Sequence, residues 1–441
     1  MRYDHITELI GNTPLLRLDP GVHGLAHVEL YAKLEFYNPF GSVKDRVAWG
    51  MIRDDLDDIV ARKQGFIEAS SGNTAKALRV LAAMHGLRLR AVTNRIKVAE
   101  VRELLQLLGT DIEELPGLSE CPDPTAPNDV YSVIESTMSR TPGAWYHPSQ
   151  YTSEKNIEAH YQGTGREIHE DLTRDGINRV DYLIGGLGTT GSTRGTATFL
   201  RKHNPGLETI AVVSERGDFI PGIRSETEMW DLGLFQPDFY DRIIAVEAGY
   251  AVDATLRLAT GHGVLAGPTS GATYAAALDF LKTVPPRPDP LIAVFIVCDR
   301  LEPYLSYIRK RRPELFGRPG RAPAPTAAEL AATPTLSPDA LEDLDRAARP
   351  TIVDTRGAMA YRIAHVPGAL NIRDDQLDDM LTQGVPFSRS RPVVFVCPVG
   401  ELSLRFAALA RRAGYDAYSL AGGITAWRDA GKPMESAPRP D

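Results

Sequence analysis

A lysine ahead of an apolar helix and a cysteine behind an apolar strand are the side chains of this sequence best set up for covalent chemistry. Lys44 lies in NPFGSVKDR, residues 38–46, where Pro39 and Gly41 force a turn and VKDRVAWGMI then reads as a helix. The positive end of a helix, among apolar neighbours, lowers an amine's pKa and favours the neutral nucleophile. Taken alone, the stretch fits a solvated lysine beside Asp45 as well. Cys397 lies in FVCPVGELS, residues 395–403, between the run VVFV and the helix-like LRFAALARRAG. It reads either as a sulfur-handling nucleophile or as a small buried residue.

Three loops carry glycine and hydroxyl groups. SSGNTAKAL, residues 70–78, follows the strand-like FIEA; Gly72 permits close backbone approach, and the amides of a helix start face whatever binds there. A plain N-cap turn explains the same residues. YLIGGLGTTGSTRGTATFL, residues 182–200, runs strand, loop, helix, and its loop Gly188, Thr189, Thr190, Gly191 and Ser192 offers amides and three hydroxyls to a phosphate. It lacks a P-loop lysine, which disfavours a nucleoside triphosphate, and meets the dinucleotide glycine pattern only in part. HGVLAGPTSGATYAAAL, residues 262–278, puts Ser270 at another helix start, as a cap or as a partner for a ligand ring.

The other reactive residues suggest less. Three cysteines, Cys121, Cys298 and Cys397, are too few and scattered for a disulfide framework, and without a CxxC pair no metal site is expected. Cys298 ends the apolar run LIAVFIV and reads as a buried core thiol. Cys121 gets no role, and His23 and His27 read as surface residues.

The elements that must position these groups alternate. VELYAKLE, VAWGMIRDDLDDIV, GFIEAS, TAKALRVLAAMHG, LRLRAVT and VAEVRELLQLLG predict βαβ units and a parallel sheet covered by helices, an α/β fold. Residues 117–143 read as an irregular insertion. An Ala/Pro/Thr-rich stretch predicts a semi-extended linker over 318–334, between a domain at 1–317 and a smaller α/β domain at 335–441. Net charge is -8 over 441 residues, which argues against a nucleic-acid surface. No apolar run approaches the roughly 20 residues of a membrane span, so a cytoplasmic protein is expected.

In this order, ITELIGNTPLLRL, NPFGSVKDR, SSGNT, GLGTTGS and PTSGA resemble the cysteine synthase and cystathionine β-synthase family, pyridoxal-phosphate enzymes of fold type II. The resemblance spans residues 3–312 and implies two α/β subdomains with parallel-type sheets, pyridoxal 5′-phosphate as cofactor and a homodimer. It implies that Lys44 carries the cofactor, Asn73 meets its 3′-hydroxyl, Gly188 to Ser192 hold its phosphate and Ser270 faces the ring nitrogen. Ser70, Ser71 and Thr74, with Gln150 of PSQY, would grip the substrate carboxylate. Ser70 stands where the family commonly has threonine. A serine at the ring nitrogen is a neutral partner and leaves the ring a weaker electron sink, which suits loss of a β-leaving group followed by addition of a nucleophile. Lys44, once released, would take the Cα proton. Arg224, in FIPGIRSE, resembles an arginine that meets the phosphate of O-phosphoserine, for which a guanidinium fork is suited. Neither a heme-binding N-terminal segment nor a C-terminal pair of CBS motifs is found, which counts against a true cystathionine β-synthase.

The tail resembles a rhodanese domain through TIVDTR (351–356), YRIAHVPGALNI (361–372), VVFVCPVGELS (393–403) and LAGGITAWRDAGKP (420–433). The resemblance makes Cys397 the persulfide carrier of the loop 397–402. Where active loops carry arginines, this one has Pro398 and Leu402, and Glu401 adds a negative charge. That pattern fits a persulfide relay, with a sulfur-carrier protein as a conceivable partner, better than a fast thiosulfate enzyme; an inactive structural domain is the alternative. Asp354 and Arg356 read as braces of the domain's own loops. The expectation is therefore a fused enzyme. Its front performs β-replacement on O-phosphoserine or O-acetylserine with sulfide, thiosulfate or persulfide, giving cysteine or S-sulfocysteine. Two alternatives stand beside it: a nitrogen nucleophile giving a product such as 2,3-diaminopropionate, and a regulatory scaffold that binds the cofactor without turnover.

Overall fold

The run LIAVFIV, Leu291–Val297, is buried along its whole length, as a strand covered on both faces must be. It belongs to a six-stranded sheet of order Leu15–Arg17, Val28–Leu34, Leu291–Val297, Tyr182–Gly186, Glu208–Ser214 and Arg242–Val246. All neighbours are parallel except Leu15–Arg17, which runs antiparallel at the edge. A second sheet, Asp111–Glu114, Leu89–Thr93, Gly65–Ala69 and Trp145–Tyr146, is parallel throughout. These two sheets and their helices form one compact unit, Met1–Arg311, and Arg312–Asp441 form another. The second unit holds a parallel sheet of order Thr335–Leu336, Ala417–Leu420, Val393–Val396, Thr351–Asp354 and Leu370–Asn371. This computed structural model describes residues 2–94, 96–115, 129–225, 233–316, 324–383 and 387–436. Cys121 lies outside them. No helix among the described residues is long and apolar enough to cross a membrane.

A buried ionic lattice pins the helix that begins at Lys44. Arg46, two residues on, donates from Nε to Glu35 at 2.6 Å and from Nη1 and Nη2 to Glu167 at 2.7 and 2.6 Å. Lys33, fully buried on the strand Val28–Leu34, pairs with Glu167 at 2.9 Å and donates to Thr13 O at 2.6 Å. The N-terminal GNTP turn hangs on the same groups: Gly11 N donates to Asn38 Oδ1 and Asn12 N to Glu167 Oε1. Buried charges persist only when each has such partners.

Two stretches are more ordered than their composition suggests. Val130–Arg140, inside the expected irregular insertion, is a helix whose N-cap Asp129 accepts from Tyr131 N and Ser132 N. Ala327–Ala332, inside the expected linker, is a helix opened by a capping box between Thr326 and Glu329. Arg412 then binds the Glu329 carboxylate from the helix Glu401–Arg412.

Candidate active site

The turn before Lys44 is braced from three sides. Gly41 has φ +85°, which favours glycine. The Asp45 carboxylate accepts from Phe40 N at 2.6 Å and Ser42 Oγ at 3.1 Å, and Val43 N donates to Cys298 O at 2.8 Å. Lys44 thereby enters a cavity with about 180 Å³ of room for water centres. Burial depresses its pKa, opposed by Cys298, Asp299 and Glu35. Burial also lifts the carboxyl of neighbouring Asp45, to about 7. The neutral amine expected from a helix terminus is thus favoured mainly by desolvation.

The loop after the strand Gly65–Ala69 forms a second wall. Ser70 Oγ accepts from Ala75 N at 3.1 Å, tying the loop to the helix Asn73–Met84. Thr74 donates its hydroxyl to Gln150 Oε1 at 2.6 Å, and Gln150 Nε2 donates to Ala69 O at 2.7 Å. Ser70, Ser71, Asn73, Thr74 and Gln150 all line the cavity, so residues far apart in sequence meet where the resemblance grouped them.

The third wall is the loop between the strand Tyr182–Gly186 and the 13-residue helix Gly191–His203. Thr190, with φ +70°, is its N-cap and makes no side-chain cap bond, so the first helical amides remain available to an anion. A Cβ on Gly188 would stand 2.6 Å from Gly222 O, and one on Gly191 2.1 Å from Asn156 Oδ1, so neither position takes a side chain. Gly188, Thr189 and Ser192 line the cavity. The hydroxyls divide differently from the sequence reading. Thr190 donates to Leu234 O at 3.1 Å, and Thr189 Oγ1 accepts from Asn156 Nδ2 at 2.9 Å.

Ser270 is fully buried, and its Oγ accepts from Cys298 N at 2.9 Å. Cys298, read as a core thiol, is instead half-buried on the cavity wall. Burial pushes that thiol up to about 12, with Lys44 pulling the other way. Beside it Asp299 accepts from Asn73 Nδ2 at 2.6 Å and from the Tyr304 hydroxyl, and burial raises its carboxyl as well. Sequence reasoning missed Asp299, Tyr304 and the cavity face of Cys298. The available signal was position: ligands of parallel sheets sit beyond the carboxyl ends of strands, and Cys298 and Asp299 follow Val297 directly. Arg224 lines the cavity, its guanidinium 5.1 Å from the Tyr151 ring centre.

In the second unit Cys397 ends the strand Val393–Val396 and is 1% exposed. Its Sγ accepts from Gly400 N and from Ser403 Oγ, both at 3.2 Å, and Ser403 meets Ser419 Oγ at 2.9 Å. Gly400, φ +94°, turns the loop into the helix Glu401–Arg412. Leu402 packs into the apolar cluster of Phe395 and Phe406, and Glu401 is exposed. Arg356 forms a fork with Asp354 and donates to Ala364 O at 2.6 Å, the bracing geometry expected of that pair.

A shielded amine, an uncapped helix start with glycine at its closest approaches, and a hydroxyl-lined loop share one cavity. That set fits pyridoxal 5′-phosphate, with Lys44 for its aldehyde and Gly188–Ser192 for its phosphate. A model of the pyridoxal-phosphate dependent enzyme family matches residues 6–299, and one of the rhodanese-like domain matches 337–430. Cysteine synthase B of Salmonella typhimurium is 31% identical over 316 residues, 68% of this chain and 94% of that protein. N-(2-amino-2-carboxyethyl)-L-glutamate synthase of Cupriavidus metallidurans is 32% identical over 319 residues, 69% of this chain and 89% of that protein. The solved structure of a hydrogen sulfide-producing enzyme from Fusobacterium nucleatum superposes with a TM-score of 0.60 at 29% identity, over 69% of this chain and 100% of that one.

Proposed function

The chain belongs to the pyridoxal-phosphate dependent enzyme family, and from that membership we propose β-replacement on O-phosphoserine by a sulfur nucleophile, with O-acetylserine as the lesser substrate. The coarser activity, cysteine synthase-like β-replacement on an activated serine, is that of the relatives. The observation that carries the reading is the convergence of Lys44, the 70–74 loop with Gln150, the 188–192 loop and Arg224 on one cavity.

When bound, the cofactor supplies an electron sink that acidifies the substrate's Cα–H and lets the group on Cβ depart. Lys44 would hold the cofactor by its aldehyde. Its amine, kept neutral by burial, then takes the Cα proton. The amides at 188–192 and the helix behind them hold the phosphate. Asn73, fixed by Asp299, would meet the ring hydroxyl, and Ser270, fixed by Cys298 N, would meet the ring nitrogen. Ser70, Ser71, Thr74 and Gln150 orient the substrate carboxylate, and Arg224 takes the leaving phosphate. The incoming nucleophile is sulfide, giving cysteine, thiosulfate, giving S-sulfocysteine, or a persulfide, giving a mixed disulfide from which a second thiol displaces cysteine and takes its place in the disulfide. Cys397 relays sulfane sulfur, with a sulfur-carrier protein as partner, and the working enzyme is a homodimer.

The test is a product screen by mass spectrometry on full-length protein, with each serine ester offered sulfide, thiosulfate and ammonia. Cysteine or S-sulfocysteine is expected, fastest from O-phosphoserine. The wild type is expected to be yellow and Lys44→Ala to lose the absorbance of lysine-bound cofactor; a colourless wild type would sink the reading. The relative that makes an N-substituted product supports a second reading, a nitrogen nucleophile giving a 2,3-diaminopropionate-type product. That reading wins if amines outcompete every sulfur donor.

A further inference from the structure

Asn156 is fully buried and does not line the cavity, yet both of its amide protons go to residues that do. Its Nδ2 donates to Gln150 O at 2.8 Å and to Thr189 Oγ1 at 2.9 Å. A main-chain carbonyl can only accept, which fixes the end of the amide that faces Gln150. Gln150 belongs to the group read above as the grip on the substrate carboxylate, and Thr189 to the loop read as the cradle of the cofactor phosphate. The other end of the amide, Oδ1, has no donor among the described residues and lies against Gly191, where a Cβ would stand 2.1 Å away. Glycine at that helix start is what lets Asn156 come so close.

A second tie runs beside the first. Leu234 N donates to Tyr151 O at 3.1 Å, while Leu234 O accepts from the Thr190 hydroxyl at 3.1 Å and from Arg194 Nη1 at 2.6 Å. The turn that carries Gln150 is closed on itself. Ser149 has φ +60°, uncommon for a residue with a side chain, and its carbonyl accepts from Thr152 N and Ser153 N. Gln150 therefore has little freedom of its own and follows the loop it is tied to. Thr189 matters at the far end. A hydroxyl that accepts from an amide keeps its own proton to give, and Thr189 lines the cavity, so the bond from Asn156 leaves that proton for an anion in the loop.

We propose that Asn156 is a positioning residue that joins the phosphate loop to Gln150, so that the cofactor phosphate, by engaging the Thr189 hydroxyl, sets Gln150 for the carboxylate of an amino-acid substrate. This rests on the reading of Gln150 as part of the carboxylate grip, so the measurement uses two amines that need no turnover. Full-length, cofactor-loaded protein is titrated with L-alanine and with ethylamine, followed by the absorbance of the bound cofactor. L-alanine has the carboxylate and no leaving group; ethylamine has neither. Wild type is expected to bind L-alanine at least about tenfold more tightly. Asn156→Ala should cut that preference about tenfold, the loss of one hydrogen bond to a charged group, and move the ethylamine affinity less than about twofold. The same variant, freed of cofactor, should bind pyridoxal phosphate several-fold more weakly.

An equal loss for both amines would mark Asn156 as a general support of the cavity, and an unchanged preference would show Gln150 held without it; either overturns the proposal. A wild type with no preference for L-alanine overturns the carboxylate reading itself, and the proposal with it. Thr189→Val examines the other end of the bond at nearly constant shape and serves also if Asn156→Ala does not fold. It should lower the L-alanine preference too, although Thr189 lies outside the carboxylate grip, and the double variant should lose no more than Asn156→Ala alone. A Thr189→Val protein that keeps the full preference, or losses that simply add, overturns the coupling.

Discussion

Lys44 shows how much a few neighbours decide for one amine. Its depressed pKa comes mainly from burial and is limited by the nearby Cys298, Asp299 and Glu35. The neutral form of an amine whose pKa is lowered appears at lower pH. Capture of pyridoxal phosphate by the cofactor-free protein should therefore speed up with rising pH, with a midpoint below the ordinary lysine value of 10.5. Stopped-flow absorbance would measure this; a midpoint at or above that value would show the amine to be solvated. NPFGSVKDR alone left the matter open, because a sequence stretch does not show what closes over it. Cys298 was misread for a related reason. LIAVFIV is buried on both faces, and nothing local marks that the next residue opens onto a cavity.

At the scale of elements, the lattice of Lys33, Glu35, Arg46 and Glu167 joins the N-terminal turn, the strand Val28–Leu34 and the Lys44 helix. Burial raises the Glu167 pKa, but hydrogen bonds and charge from Arg46, with Lys33, outweigh it and hold the carboxyl well below the usual range. A folded-state pKa lowered in this way contributes stability that is present above the ordinary value of 4.5 and lost progressively as pH falls below it. Glu167→Gln should cost about 3–5 kcal/mol in urea unfolding at neutral pH, because it strands buried cations. It should also flatten the loss of stability between about pH 5 and 3. The alternation of strand-like and helix-like runs made the α/β sheets legible, since both periods are local. The lattice was not, since Glu35 and Glu167 lie far apart in sequence and meet only once Arg46 and Thr13 bridge them in the fold. The helix Ala327–Ala332 did carry a readable signal, Thr326 three residues before Glu329, which the Ala/Pro-rich composition obscured.

At the scale of the molecule, two compact units bear the Lys44 cavity and the Cys397 loop. If Cys397 relays sulfane sulfur to the front reaction, Cys397→Ala should slow turnover several-fold with thiosulfate or a persulfide donor and leave the rate with sulfide unchanged. Steady-state rates with each donor decide this, and equal rates with all of them would make the second unit structural. The family motifs of both units stand in order along the chain, so the domain order was legible.

The seat of Cys397 has a kinetic consequence. Its sulfur is enclosed, with the Gly400 amide and the Ser403 hydroxyl both directed at it and the residue 1% exposed, so a sulfur donor would reach it only after the loop moves. Loading must then wait for the loop to open, so chemically different donors should converge on one shared maximum rate at saturation. Between openings, a stored sulfur would be sheltered from stray thiols, and the same closure that slows its arrival would prolong its lifetime.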